Sequence, residues 1–203
     1  MRKETAFRIR AFRKALELAS SERSVECSHM PRWSTDLINF PRGSCDLASN
    51  SLGQYLMECD RGLYPCIIFM CGNITFRENE NSTVNGHVIV ALDGEYIDLT
   101  LDQFEEYPDY IPAEPIESCG TLGTLIKNIR THEGEIKTRP VDLNGSEKLY
   151  AWLKNTANAV FAEDPEVKAW QQEMDEVITR ARGLFNWELT AQTRQDKEKH
   201  GNA

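Results

Sequence analysis

The chain has 203 residues, 40% of them hydrophobic, and a formal net charge of −9. That length suits a domain with a real apolar core and excludes fibrous and wholly disordered classes. The acidic balance excludes nucleic acid as the main ligand, since a phosphate backbone asks for clustered Lys and Arg, and no apolar run is long enough to cross a membrane.

Basic residues gather only at the start: Arg2, Lys3, Arg8, Arg10, Arg13 and Lys14. Phe7, Ile9, Phe12, Ala15 and Leu18 recur among them at helical spacing. This predicts an amphipathic helix over 4–18 with the basic residues on its solvated face. No apolar block or small-residue cleavage site follows, so the segment does not read as a signal peptide and the chain is expected in the cytoplasm. Residues 20–24 read as loop. Pro31 disfavours helix just before it, so 30–33 reads as extended.

Phe-Pro-Arg-Gly-Ser at 40–44 is turn chemistry. After it, Ala48, Leu52, Tyr55, Leu56 and Cys59 form one helical stripe, which makes Cys45 the opening residue of a core-facing helix with Gly62 as a plausible stop. Strands are expected over 63–70, over 72–80 as a continuation of the ladder, and over 86–92. Asp93-Gly94 is a hairpin signal, and 95–99 is the returning strand. Pro108, Pro112 and Pro115 break up the next stretch, and 120–139 shows no clear period. A helix follows over 147–161, with Leu149, Trp152, Leu153, Ala157 and Val160 inward. Asp164 as N-cap and Pro165 in the first turn open another, to about residue 182. Trp152, Trp170 and Trp187 read as helix-packing residues.

These elements make an α+β fold: a small antiparallel sheet packed on the Cys45 helix, with further helices at both ends. The expected division is a catalytic domain over 1–140, a C-terminal helical extension over 141–190 and a polar tail over 191–203.

Six cysteines occur, with no Cys-x-x-Cys pair, which reads as free thiols in a reducing compartment. Cys27 and His29 would supply two metal ligands, but no second pair stands at a sensible spacing, so neither a metal nor a cofactor is implied. Cys45 differs from the rest. A helix N-terminus supplies partial positive charge and unpaired amide donors, which favour a thiolate and can hold an oxyanion.

Of four histidines, only His87 opens a strand central to the sheet. An imidazole acting as base needs a partner on its second nitrogen. Asp98 lies across the hairpin, where 92 faces 95 and 89 faces 98, so it stands diagonal to His87 and within side-chain reach. A carboxylate inside the apolar run 96–99 itself asks for a partner. Ser49, Asn50, Gln54 and Asp102 read as hydrogen-bonding residues of helix and turn.

Cys at a helix start, His at a strand start and Asp on the next strand resemble the transglutaminase-like group of papain-fold cysteine enzymes. The motifs are Phe-Pro-Arg-Gly-Ser-Cys at 40–45, Gly-His-Val-Ile-Val at 86–90 and Tyr-Ile-Asp-Leu-Thr at 96–100, and the likeness spans 40–104. The resemblance implies Cys45 as nucleophile, His87 as base and Asp98 as the group that orients it. It implies acyl transfer through a thioester, with hydrolysis of a peptide or isopeptide bond ahead of transfer to an amine. The partner would be a protein or peptide substrate. Asn39, six residues before the cysteine, stands where papain-type enzymes carry an oxyanion Gln; Ser44 is the other candidate for positioning substrate. Departures are Asp46 where Trp commonly follows the nucleophile, and a partial match to the arylamine acetyltransferase Arg-Gly-Gly. Competing readings are a non-catalytic protein-binding module on the same fold, and an effector or toxin acting on another cell's protein.

Overall fold

In the computed structural model, residues 1–21 and 26–200 are described, with side chains as far as residue 183. The helices are α1 (Lys3–Ser20), α2 (Cys45–Cys59), α3 (Ile74–Glu80), α4 (Thr121–Thr131), α5 (Glu147–Glu163) and α6 (Pro165–His200). A π-helical turn (Trp33–Leu37) precedes α2, and a 3-10 turn (Leu101–Gln103) follows β3. Strands β1 (Cys66–Cys71), β2 (Gly86–Leu92), β3 (Glu95–Asp98), β4 (Ile111–Pro115) and β5 (Glu135–Arg139) form one sheet in the order β4-β3-β2-β1-β5. Every neighbouring pair is antiparallel. The fold is therefore α+β, as the sequence pattern predicts. No helix among the described residues is long and apolar enough to cross a membrane.

The apolar runs of β1 and β2 are explained by a sheet covered on both faces. Ile67, Val88, Val90, Leu92 and Ile97 join one core with residues of α1, α2 and α5. Ile68, Met70 and Ile89 join a second core with Phe76 of α3 and Leu122, Leu125, Ile126 and Ile129 of α4. Alternate residues thus feed opposite layers, so alternating polarity is lost. Each fully buried Leu or Ile contributes about 1.5–3 kcal/mol relative to exposure.

The hairpin forms as expected. Leu92 faces Glu95, Ala91 faces Tyr96 and Val90 faces Ile97. Asp93 and Gly94 both have positive φ, 49° and 79°, the backbone that a two-residue hairpin turn requires.

Four expectations are corrected. Residues 72–80 do not continue the ladder. Asn73 Oδ1 accepts from the Phe76 amide at 2.8 Å and starts α3, and a filled N-cap outweighs β propensity over a short segment. Residues 120–139 resolve into α4 and edge strand β5, whose outward side chains mask its period. The division near 140 is misplaced: the compact unit is Met1–Phe161, and the second unit is Ala162–Ala203. Leu149, Tyr150, Leu153 and Ala157 of α5 belong to the first core, so α5 is core and not extension. Finally, α6 runs to His200 instead of ending near 182. The packing expected of Trp187, and the end of the tail at 201–203, lie outside the described residues.

Candidate active site

Cys45 is the first residue of α2. The turn before it is shaped by Gly43, whose φ of 70° lies in the left-handed region that glycine enters at no steric cost. A Cβ there would meet nothing within 4 Å, so Gly43 serves backbone conformation and not space. Ser44 is the N-cap residue, yet its side chain caps nothing. Its hydroxyl donates to the Asp36 carbonyl at 2.5 Å, which leaves the first-turn amides of α2 without a side-chain cap.

Asp46, next to the thiol, would oppose a thiolate if left alone. It accepts from Arg32 Nη2 at 2.9 Å and from Arg139 Nη2 at 2.6 Å. Asn50 adds a third donor to it at 3.1 Å. Asp46 thus ties α2 to the preceding loop and to β5, and two guanidiniums offset its charge.

His87 is the second residue of β2 and faces Met70 of β1. Asp98 ends β3, with a bulge between Tyr96 and Asp98 on the β4 side. Because β2 and β3 are antiparallel, the start of one and the end of the other lie at the same end of the sheet, where α2 enters. Ser49 Oγ fastens α2 there, donating to the Val88 carbonyl at 2.9 Å. His87 Nε2 and Asp98 Oδ2 are 2.5 Å apart, and both side chains are fully buried. Asp98 Oδ1 accepts from the Thr100 amide at 2.8 Å and from its hydroxyl at 3.3 Å, so both carboxylate oxygens are engaged. The Phe104 ring meets the imidazole edge-on at 5.0 Å between centroids.

Burial works against charge on His87. The Asp98 carboxylate overrides it, helped by Cys45, which lies close enough to interact with the ring, and the His87 pKa is raised above its ordinary value. The structure therefore brings Cys45, His87 and Asp98 together. Neither expected oxyanion side chain joins them. Ser44 is buried and spent on Asp36. Asn39 is exposed, and among the described hydrogen bonds its side chain makes none with the three.

Two residues enter the site unforeseen. Gln103 Nε2 is 3.2 Å from His87 Nδ1, and Gln103 Oε1 accepts from the Gly43 amide, also at 3.2 Å. An amide in a short turn carries no sequence pattern, so nothing marked it. Arg13 was expected on a solvated face and is instead buried. It donates to the Leu99 carbonyl and grips both carboxylate oxygens of Asp102, at 3.0 and 2.7 Å. Phe40 and Tyr110 stack on its guanidinium. Burial opposes the charge of Arg13, but Asp102 and Glu17 outweigh it and hold the proton more firmly than in water. Arg13 thus clamps the segment between Asp98 and Gln103, whose two ends both touch His87. The helical stripe gave only a hint, since Arg13 shares it with Ile9, Phe12 and Leu16; the groups that bury and pair the guanidinium come from distant segments.

Curated relatives add no activity. An uncharacterized protein, YuaU, of Escherichia coli (strain K12) is 43% identical over 122 residues, which is 60% of this chain and 52% of the relative. Its counterpart in strain UTI89 / UPEC is 42% identical over the same shares. The chain spans about half the length of these relatives. No family model matches it, and no solved structure does.

Proposed function

We propose that this chain is a cysteine-dependent acyl-transfer enzyme of the transglutaminase-like or papain-like kind, cleaving a peptide, isopeptide or other amide bond through a Cys45 thioester. One observation carries the reading: a fully buried His87–Asp98 pair at 2.5 Å that meets the cysteine opening α2. A buried imidazole with a carboxylate on one nitrogen and a thiol on the other side is the arrangement that general-base activation of a nucleophile needs.

The steps follow from the atoms. Cys45 Sγ attacks the acyl carbon as its proton passes to His87 Nδ1. Charge develops on the acyl oxygen, within range of the uncapped first-turn amides of α2. The C–N bond then breaks as His87 returns its proton to the leaving amine. Water adds to the thioester by the same route in reverse, the C–S bond breaks, and the thiol is restored. Asp98 accepts from Nε2–H throughout and keeps Nδ1 turned to the thiol. An amine in place of water gives transfer from the same thioester. The reading takes a protein or peptide as substrate because the bond cleaved is an amide, and none of its steps calls for a cofactor.

The test is acetylation by p-nitrophenyl acetate, read as nitrophenolate release and as acetyl on the Cys45 peptide by mass spectrometry. The expected result is labelling of Cys45 ahead of the other five cysteines, lost in Cys45→Ala and His87→Ala. Labelling of Cys45 no faster than the others would overturn the enzyme reading and leave a protein-binding module on the same fold.

A further inference from the structure

Gln103 sits between two partners that together determine which way its amide points. The Gly43 N–H can only donate, so the atom it meets must be Oε1. That turns Nε2, also a donor, toward His87 Nδ1. The other ring nitrogen faces the Asp98 carboxylate, which can only accept when ionised. Both constraints select one form of the ring: neutral, with its hydrogen on Nε2 and its lone pair on Nδ1. In that arrangement the lone pair that must receive the thiol proton is engaged by Gln103. A proton on Nδ1 would point at the Gln103 NH2, donor against donor. Turning the amide over would free Nδ1 but set NH2 against the Gly43 N–H.

We propose that Gln103 is a positioning residue of the Cys45–His87 pair: it holds His87 in the neutral tautomer at rest and must leave Nδ1 before the thiol can be deprotonated. The proposal rests on the enzyme reading above. The strengths of the contacts suit a movable side chain on a fixed backbone. The Gln103 amide donates to the Thr100 carbonyl at 3.0 Å, inside the segment that Arg13 clamps through Leu99 and Asp102. Its side chain is held by two contacts of 3.2 Å and is half-buried, whereas His87 is sealed from solvent and bound to Asp98 at 2.5 Å. Gly43 is exposed and Cys45 half-buried, so the Gly43–Gln103 contact is open to displacement by an acyl group that approaches the thiol.

The charged and titratable groups facing the ring are Asp98 from β3 and Cys45 from α2. Tyr107 lies near enough to Asp98 to feel its charge, and Asp102 is neutralised by Arg13. Asp98 draws the ring toward protonation while Gln103 opposes it. Removing the Gln103 donor therefore shifts the balance toward the imidazolium–thiolate pair.

The experiment is the rate of Cys45 alkylation by iodoacetamide (carbon–sulfur bond formed, iodide lost) from mildly acidic to mildly alkaline pH, read by peptide mass spectrometry. Gln103→Leu keeps the bulk and removes the donor. It is expected to raise the rate at mildly acidic pH about tenfold, the equivalent of one unit of proton affinity. Gln103→Glu places an acceptor beside Nδ1–H and is expected to raise it further. Both accelerations should vanish when His87→Ala is added, which separates tautomer control from easier access to the thiol. Acceleration that persists without His87, or no acceleration in either folded variant, overturns the role of Gln103 while Cys45 still depends on His87. Cys45 alkylation that is indifferent to His87 in every background overturns the enzyme reading itself, and this proposal with it.

Discussion

Among the described residues two histidine–carboxylate pairs occur, and they sit in opposite surroundings. His87 and Asp98 are 2.5 Å apart with both side chains fully buried. His132 and Glu80, at the ends of α4 and α3, are 2.9 Å apart with side chains 18% and 34% exposed. Glu80 also accepts from Asn128 at 2.7 Å, and His132 Nδ1 has only a long contact of 3.5 Å with Asn79. Water and salt screen the second pair, and such surface pairs are worth about 0–1 kcal/mol. In the buried pair each group is the other's main partner, a nearby cysteine faces the ring, and the His87 pKa rises because of Asp98 despite burial. The residue types match. Burial and the third group are what separate a surface contact from a candidate base.

The comparison breaks most sharply at His87. His87→Ala is expected to reduce Cys45 acetylation by about 10²–10⁴-fold, the usual range for loss of a general base, while His132→Ala leaves it unchanged. Equal behaviour of the two variants in the same p-nitrophenyl acetate assay would erase the distinction.

Asp98→Asn comes next. Asn retains an oxygen for Thr100 but presents N–H to Nε2, which drives the ring proton onto Nδ1. A loss of about 10–100-fold is expected, smaller than for His87→Ala because the base itself remains. Activity equal to the parent would mean that another group orients the ring.

Arg13→Met tests the clamp on the segment between Asp98 and Gln103. Removing one partner of a largely buried ion pair is expected to cost about 3 kcal/mol, measured by urea unfolding, with acetylation falling by less than tenfold. Unchanged stability would mean that Leu99 and Asp102 are held by other contacts. The smallest effect belongs to Glu80→Gln, for which less than about 1 kcal/mol is expected. A larger loss would show that the exposed pair anchors α3 to α4 and is not merely a solvated contact.

Local pattern carried a good part of this molecule. The stripe after Cys45, the Asp93-Gly94 turn and the alternation around it are short-range facts. They placed Cys45 at a helix start and put Asp98 diagonal to His87, because helical and strand periods and a two-residue turn leave little freedom. The same logic failed where a single contact decided the outcome. Asn73 capping Phe76 turned an expected strand into α3, and β5 hid its period at an edge.

The amino-acid order singled out the cysteine, histidine and aspartate proposed to carry chemistry and the elements on which they ride. It could not determine which charged or polar side chains the packing would bury. Arg13 reads as one more cation on a basic helix until Phe40, Tyr110 and Asp102 surround it. Gln103 reads as turn filler until Gly43, sixty residues earlier in the chain, aims its amide at Oε1. Such contacts join segments far apart in sequence, and their hydrogen-bond geometry exists only once the sheet and both of its helical layers are assembled.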